Sequence, residues 1–156
     1  MKKLIIISVA LLFAAFVVIQ FFQPEKNISE NAESLLINTE NMLPEVKDAF
    51  KNACLDCHSN NTKYLWYHNI APVSWMVNKH VTDGKKELNL SEWKTLDDYD
   101  KIKALEDMKQ EIERGTMPLK PYILIHPEAN LDEETKKAMI AWIDKKSDEL
   151  MNQPEE

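Results

Sequence analysis

The sequence predicts an all-α domain with long loops behind an N-terminal helix that crosses a membrane. Three observations carry this expectation. Leu4 to Phe22 (LIIISVALLFAAFVVIQFF) is an apolar run broken only by Ser8 and Gln20, long enough to span a bilayer. Beyond residue 43, apolar residues recur at helical spacing, and no alternating apolar and polar stretch of useful length marks a strand. At 156 residues the chain holds one domain with a real core.

Lys2 and Lys3 precede the apolar run, and Gln23, Glu25, Asn27 and Glu30 follow it. The positive-inside bias keeps the N-terminus in the cytoplasm and sends the remainder outward. The end of the run, Val18, Ile19, Gln20, Phe21 and Phe22, offers no small-x-small cleavage pattern, so an uncleaved signal anchor over residues 1–22 is expected. An all-round apolar helix has no polar face to show water, which argues against a buried core helix.

Charge excludes one class of partner. The chain carries 19 basic and 26 acidic side chains, and Lys2 and Lys3 belong to the anchor. The exported part is therefore strongly acidic, which is unsuited to nucleic acid and suited to solubility.

Residues 23–42 (QPEKNISENAESLLINTENM) are polar and poor in aromatics, as expected of a flexible tether. The domain is placed at 43–151 and a tail at 152–156. Val46, Ala49, Phe50 and Ala53 repeat at i, i+3, i+4 and i+7 behind Pro44, predicting a helix that leads into Cys54. Residues 59–73 read as loop. Ser74 to Val81 reads as a helix with Ser74 as N-cap and Asp83 and Gly84 as its stop. A second loop carries Ser91 and Trp93. Tyr99 to Arg114 has apolar residues at 102, 105, 108 and 112, with Gly115 as C-terminal stop. The last helix spans 133–151, with Asp132 as N-cap, Glu133 and Glu134 in its first turn, and Met139, Trp142, Ile143 and Leu150 on one face. Loops this long in a small domain usually wrap a ligand.

The chemistry concentrates in KNACLDCHSNNTKYLWYH, which holds both cysteines of the chain, Cys54 and Cys57, followed directly by His58. Zinc needs four ligands, and the remaining histidines, His68, His80 and His126, are scattered with no second cysteine pair. A thioredoxin-like redox pair wants a strand before it and a thiol at a helix N-terminus, whereas these cysteines end a helix. Haem attachment meets every constraint: two thiols three positions apart form thioethers to one edge of a porphyrin, and His58 becomes the proximal iron ligand. Export agrees with covalent attachment.

The sixth iron position needs a ligand or an opening. Met117, in RGTMPLKPY, follows a helix stop, and Pro118 turns it away from helical geometry, so its thioether is the expected distal ligand. His80 and His126 are the alternatives, while His68 lies too close in the loop to reach the other haem face. Trp66, Tyr67, Trp75 and Trp93 gather between Cys57 and Met117, and the first three are candidate flat walls for the macrocycle.

The succession CLDCHSNNTKYLWYHNIAPVSWMVNKHVTDGKKELNLSEW, then ERGTMPLKPYILIHPEANL and a closing helix with AWI, resembles the small haem-binding-domain family of bacterial c-type cytochromes over about residues 43–147. The order of helix, C-x-x-C-H, Met-Pro loop and final helix also resembles class I cytochromes c. Leu65 stands where the family commonly has proline, and LNLSEW where LNFSEW is typical; neither touches the proposed ligands. The resemblance implies a cytochrome c-like helical domain wrapped around one haem c. It also implies that a proline carbonyl, for which Pro72 is the nearest candidate, accepts the ring N–H of His58. The expected protein is a single-pass component of the bacterial inner membrane with its C-terminal domain in the periplasm. There it carries single electrons between exported redox partners rather than catalysing a reaction. An open-site haem enzyme, peroxidase-like, or a haem-based gas sensor is the rival class.

Overall fold

The computed structural model describes residues 1–29 and 31–152, so all but the first residue of the 152–156 tail lies outside the described residues. Every regular element among them is helical. The first helix, α1, runs Lys2–Ile19 with a mean hydropathy of 2.5, and none of its side chains is buried. An apolar helix with no protein around it needs an apolar solvent, and its length and composition suit a membrane span or a signal sequence.

The tether expectation for 23–42 is corrected in its second half. Leu36 and Ile37 form a one-turn helix, α2 (Leu36–Thr39), and both are buried in the domain core. The segment is pinned at the end of this helix through both oxygens of Glu40: the Trp93 indole N–H donates to Oε1 at 2.8 Å, and Lys146 Nζ pairs with Oε2 at 2.6 Å. Burying two large aliphatic side chains contributes about 1.5–3 kcal/mol each, which outweighs the polar composition of the rest of the stretch. The first half is also engaged: Asn27 Nδ2 donates to the Ser59 carbonyl at 2.7 Å and to Thr62 Oγ1 at 2.9 Å.

Next come α3 (Pro44–Ala53) and α4 (Leu55–His58), joined at Cys54, which ends the first and starts the second. Pro44 opens α3, where its missing N–H costs nothing. Helix α5 occupies Val73–Glu87, longer than the expected Ser74–Val81, and runs straight through Asp83 and Gly84. Gly84 is used for close approach rather than as a stop. A Cβ at this position would lie 2.8 Å from the carbonyl oxygen of Cys57, so only glycine lets α5 lie against α4. The expected N-cap, Ser74, is instead inside the first turn, where its Oγ is buried without a hydrogen-bond partner, and Pro72 takes the cap position.

Helix α6 (Asp98–Arg114) begins one residue before the expected Tyr99, because Asp97 caps it through a 2.8 Å bond from the Asp100 N–H. Gly115 ends it in the left-handed conformation at φ 64°, ψ 28°, the use of glycine the sequence suggested. A single turn, α7 (Lys120–Ile123), follows Met117, and α8 (Glu133–Met151) closes the chain from the Asp132 cap, which accepts from the Thr135 N–H at 2.7 Å. Helices α6 and α3 both pack against α8. Between them Phe50, Trp93, Leu105, Met139 and Ile143 form a fully buried core, with Trp142 edge-on to Phe50 at 5.5 Å between ring centroids. Cys54 and Leu55 lie against this core, so the motif grows directly out of the best-packed part of the domain.

Candidate cofactor site

One helical turn sets the motif. The Cys57 and His58 N–H groups both donate to the Cys54 carbonyl, at 3.2 and 2.9 Å. Positions i, i+3 and i+4 share a helix face, so Cys54, Cys57 and His58 are presented together. Both thiols are free. Burial and then the neighbouring Cys57 push Cys54 up to about 12, and burial and then Asp56 push Cys57 up to about 11. Thiols held protonated this firmly are poor nucleophilic redox thiolates. Nor do they meet the needs of zinc, since no group of three or more His, Cys, Asp or Glu side chains converges among the described residues.

Two adjoining hollows lie in front of the motif, about 490 and 360 Å³ in volume. Cys54 lines the larger and Cys57 the smaller, while Ala53, His58, Glu87 and Met117 line both. The walls of the larger hollow are apolar, from Phe50, Leu88, Leu90, Met108 and Ile112; Pro118 and Leu119 supply apolar surface to the smaller. The rim is charged, with Glu87, Asp107 and Glu111 beside Arg114, the chain's one arginine.

His58 has its tautomer fixed. Its Nδ1 lies 3.0 Å from the Leu88 carbonyl oxygen. A carbonyl can only accept, so Nδ1 carries the proton and Nε2 keeps its lone pair for a metal. This corrects the role expected of Pro72. Pro72 is at the N-terminal end of α5 and Leu88 is just past its C-terminal end, so the 15-residue helix sets them about 22 Å or more apart. The acceptor needed was a carbonyl near the motif, and the end of α5 supplies it.

The structure brings Cys54, Cys57, His58 and Met117 to one place, with His80 on the smaller hollow. It does not bring the aromatic residues there. Trp66 is 76% exposed, Trp75 is 40% exposed, and Tyr67 makes a 2.6 Å hydrogen bond with His126 Nε2; none of them, nor Pro72, lines either hollow. The assignment of Trp66, Tyr67 and Trp75 to the pocket is corrected accordingly. Trp93 is spent on the core. His126 is also away from the hollows: it is buried, stacked on Tyr122 at 4.1 Å, and engaged by Tyr67, so it is a packed residue and not a candidate ligand.

Asp56 and Tyr122 were not singled out by the sequence. Tyr122 Oη donates to Asp56 Oδ2 at 2.8 Å, and Asp56 Oδ1 accepts from the Lys63 N–H at 3.0 Å. Asp56 sits inside the motif and Tyr122 five residues after Met117, so this contact ties the Cys54–His58 turn to the segment that follows Met117. Burial, then the bond to Asp56 and its charge, raise Tyr122 far above an ordinary phenol. No sequence signal pointed to this pair, because an Asp between two cysteines and a Tyr after a proline are both ordinary surface choices.

Free thiols at the right spacing, an imidazole in the metal-binding tautomer, a thioether across the same hollows and apolar walls together form a donor set that fits haem. Comparison with curated proteins and with solved structures finds no match. The profile of the haem-binding domain family matches residues 14–145, which also takes in the segment around α2 that the core absorbs. The chain belongs to the haem-binding domain family.

Proposed function

We propose that this haem protein is a mono-haem c-type cytochrome, anchored by α1 in the bacterial inner membrane with its domain in the periplasm, that passes single electrons between exported redox proteins. The observation that carries this reading is the 3.0 Å bond between His58 Nδ1 and the Leu88 carbonyl, which leaves Nε2 as the one basic ring nitrogen. Cys54 and Cys57 would hold the group covalently, each S–H adding across a vinyl double bond without net oxidation. Because they line different hollows, a macrocycle filling both would have one thiol at each. His58 and Met117 line both hollows and would supply the two axial bonds. When bound, haem supplies an iron that exchanges one electron between ferric and ferrous states. The residues of the chain hold it fixed: Leu88 orients the imidazole, and the apolar walls exclude water, which keeps reorganisation on electron transfer small.

His80 on the smaller hollow and the 36% exposure of Met117 favour one other reading, an open-site enzyme or sensor with His80 beside the distal face. The two separate on the spectrum of the oxidised protein. A His and Met pair gives the weak far-red charge-transfer band of thioether ligation and no rapid carbon monoxide binding in the ferrous state. A wild-type protein that lacks the band and takes up carbon monoxide at once belongs to the second reading.

A further inference from the structure

We infer that the face of the domain carrying Trp66, Ile70, Trp75 and Met76 seats on the lipid bilayer, held there by a fixed joint at Gln20. The inference rests on the proposed reading of α1 as an uncleaved anchor. Helix α1 has 18 residues and is about 27 Å long, against a hydrocarbon core of about 30 Å. With no length to spare, Gln20 emerges at the headgroup layer. Its side chain is not left to solvent there: Gln20 Nε2 donates to the Ala71 carbonyl at 3.1 Å and Gln20 Oε1 accepts from the Ala71 N–H at 2.9 Å. The Trp75 indole N–H donates to the Phe22 carbonyl at 2.6 Å. Three bonds thus clamp the start of α5 to the end of the membrane helix, and the residues around Ala71 share the depth of Gln20.

Those residues are apolar and exposed. Trp66, Ile70, Trp75 and Met76 are 76%, 36%, 40% and 49% exposed, beside Phe21 at 82% and Phe22 at 66%. In water such a cluster has nothing to cover it, but the bilayer interface favours indole rings with one apolar and one polar side. The other two tryptophans, Trp93 and Trp142, pack in or against the core, so the exposed tryptophans are Trp75 of the clamp and Trp66 in the turn just before Ile70 and Ala71. From the clamp, α5 leads to Glu87 and Leu88 at the hollows, and a rigid joint therefore fixes how the cofactor site stands relative to the membrane.

The test uses the full chain, matured with its cofactor, in nanodiscs of phosphatidylcholine and phosphatidylglycerol. A benzophenone side chain replaces Trp66, Met76 or, for comparison, Tyr99, which is equally exposed at 76% but on α6, away from α5. After irradiation, lipid adducts counted by mass spectrometry should be several times more abundant at 66 and 76 than at 99. Gln20→Ala should reduce the adducts at 66 severalfold while the protein stays in the disc. Equal yields at 66, 76 and 99, or yields at 66 unchanged by Gln20→Ala, would overturn the inference and leave the anchor intact. A mature chain found to start near residue 23 would overturn both.

Discussion

The two sides of the proposed iron site are built differently. On the His58 side, the ligand sits in a helical turn that grows out of α3, packs on the core through Cys54 and Leu55, and has its ring locked by the Leu88 carbonyl. On the Met117 side, the candidate ligand lies in a loop after Gly115, 36% exposed, tied to α6 by its N–H and that of Thr116, which reach the Glu111 carbonyl at 3.4 and 3.2 Å, and by the Thr116 hydroxyl, which donates to the same carbonyl at 3.1 Å and to the Glu111 carboxylate. One side is fixed by packing and the other by a short strap. A bond from His58 to iron would thus be held by the fold itself, whereas one from Met117 would be adjustable, and there such a protein would set its potential or admit an exogenous ligand.

The largest effect expected from this asymmetry is in ligand replacement. His58→Ala should prevent formation of a low-spin haem and reduce the yield of holoprotein sharply. Met117→Ala should retain the haem, lose the thioether charge-transfer band and bind carbon monoxide or cyanide, as read by absorption spectra. Equal losses in the two variants would remove the distinction between the sides.

The next effect tests whether the fixed side rests on the α2 segment. Leu36 is fully buried, so Leu36→Ala should cost about 2–5 kcal/mol in a denaturant titration. A free tether would give no change.

Tyr122→Phe cuts the link between the sides. Removing a hydrogen bond to a carboxylate should cost about 1.5–3 kcal/mol. It also carries a pH signature. The fold holds the Tyr122 phenol protonated well above its ordinary value, whereas the unfolded chain releases that proton near pH 10. The unfolded state then binds fewer protons, so wild-type stability should fall as pH rises past about 10. The fall should be shallower in Tyr122→Phe, measured as denaturation midpoints from pH 8 to 11. Parallel curves would show that the contact does not form.

The smallest effect is Gly84→Ala. Its Cβ would meet the Cys57 carbonyl at 2.8 Å, and displacing α5 from the motif should cost about 1–3 kcal/mol and weaken the Leu88 bond to His58. The variant's midpoint and charge-transfer band report both.

Much of this was legible in the sequence where a period or a spacing is long enough to read. Helix α6 came with an apolar stripe and its glycine stop, α8 with an apolar stripe and its Asp132 cap, and the C-x-x-C-H spacing pointed to haem, in line with the haem-binding family of the chain. What was not legible has physical reasons. A four-residue helix such as α2 has no period to detect, and its LLI triplet sits in a polar stretch. A glycine at a helix stop and one at a close approach look alike until the neighbouring backbone is placed, which is why Gly84 was misassigned and Gly115 was not. The imidazole's carbonyl partner depends on where α5 ends, so Leu88 could not be distinguished from Pro72. Tryptophans suit a core, a cofactor pocket or a membrane interface equally, and only exposure separated Trp93 from Trp66 and Trp75.

The central claim is covalent haem at Cys54 and Cys57, and its most direct measurement is mass spectrometry of the full chain made in a host with c-type maturation. After acid denaturation, the intact protein should carry the added mass of one haem, and fragmentation should place it on the peptide containing Cys54, Cys57 and His58. An unmodified mass, with the haem recovered in the organic phase of an acid and acetone extraction, would contradict the account.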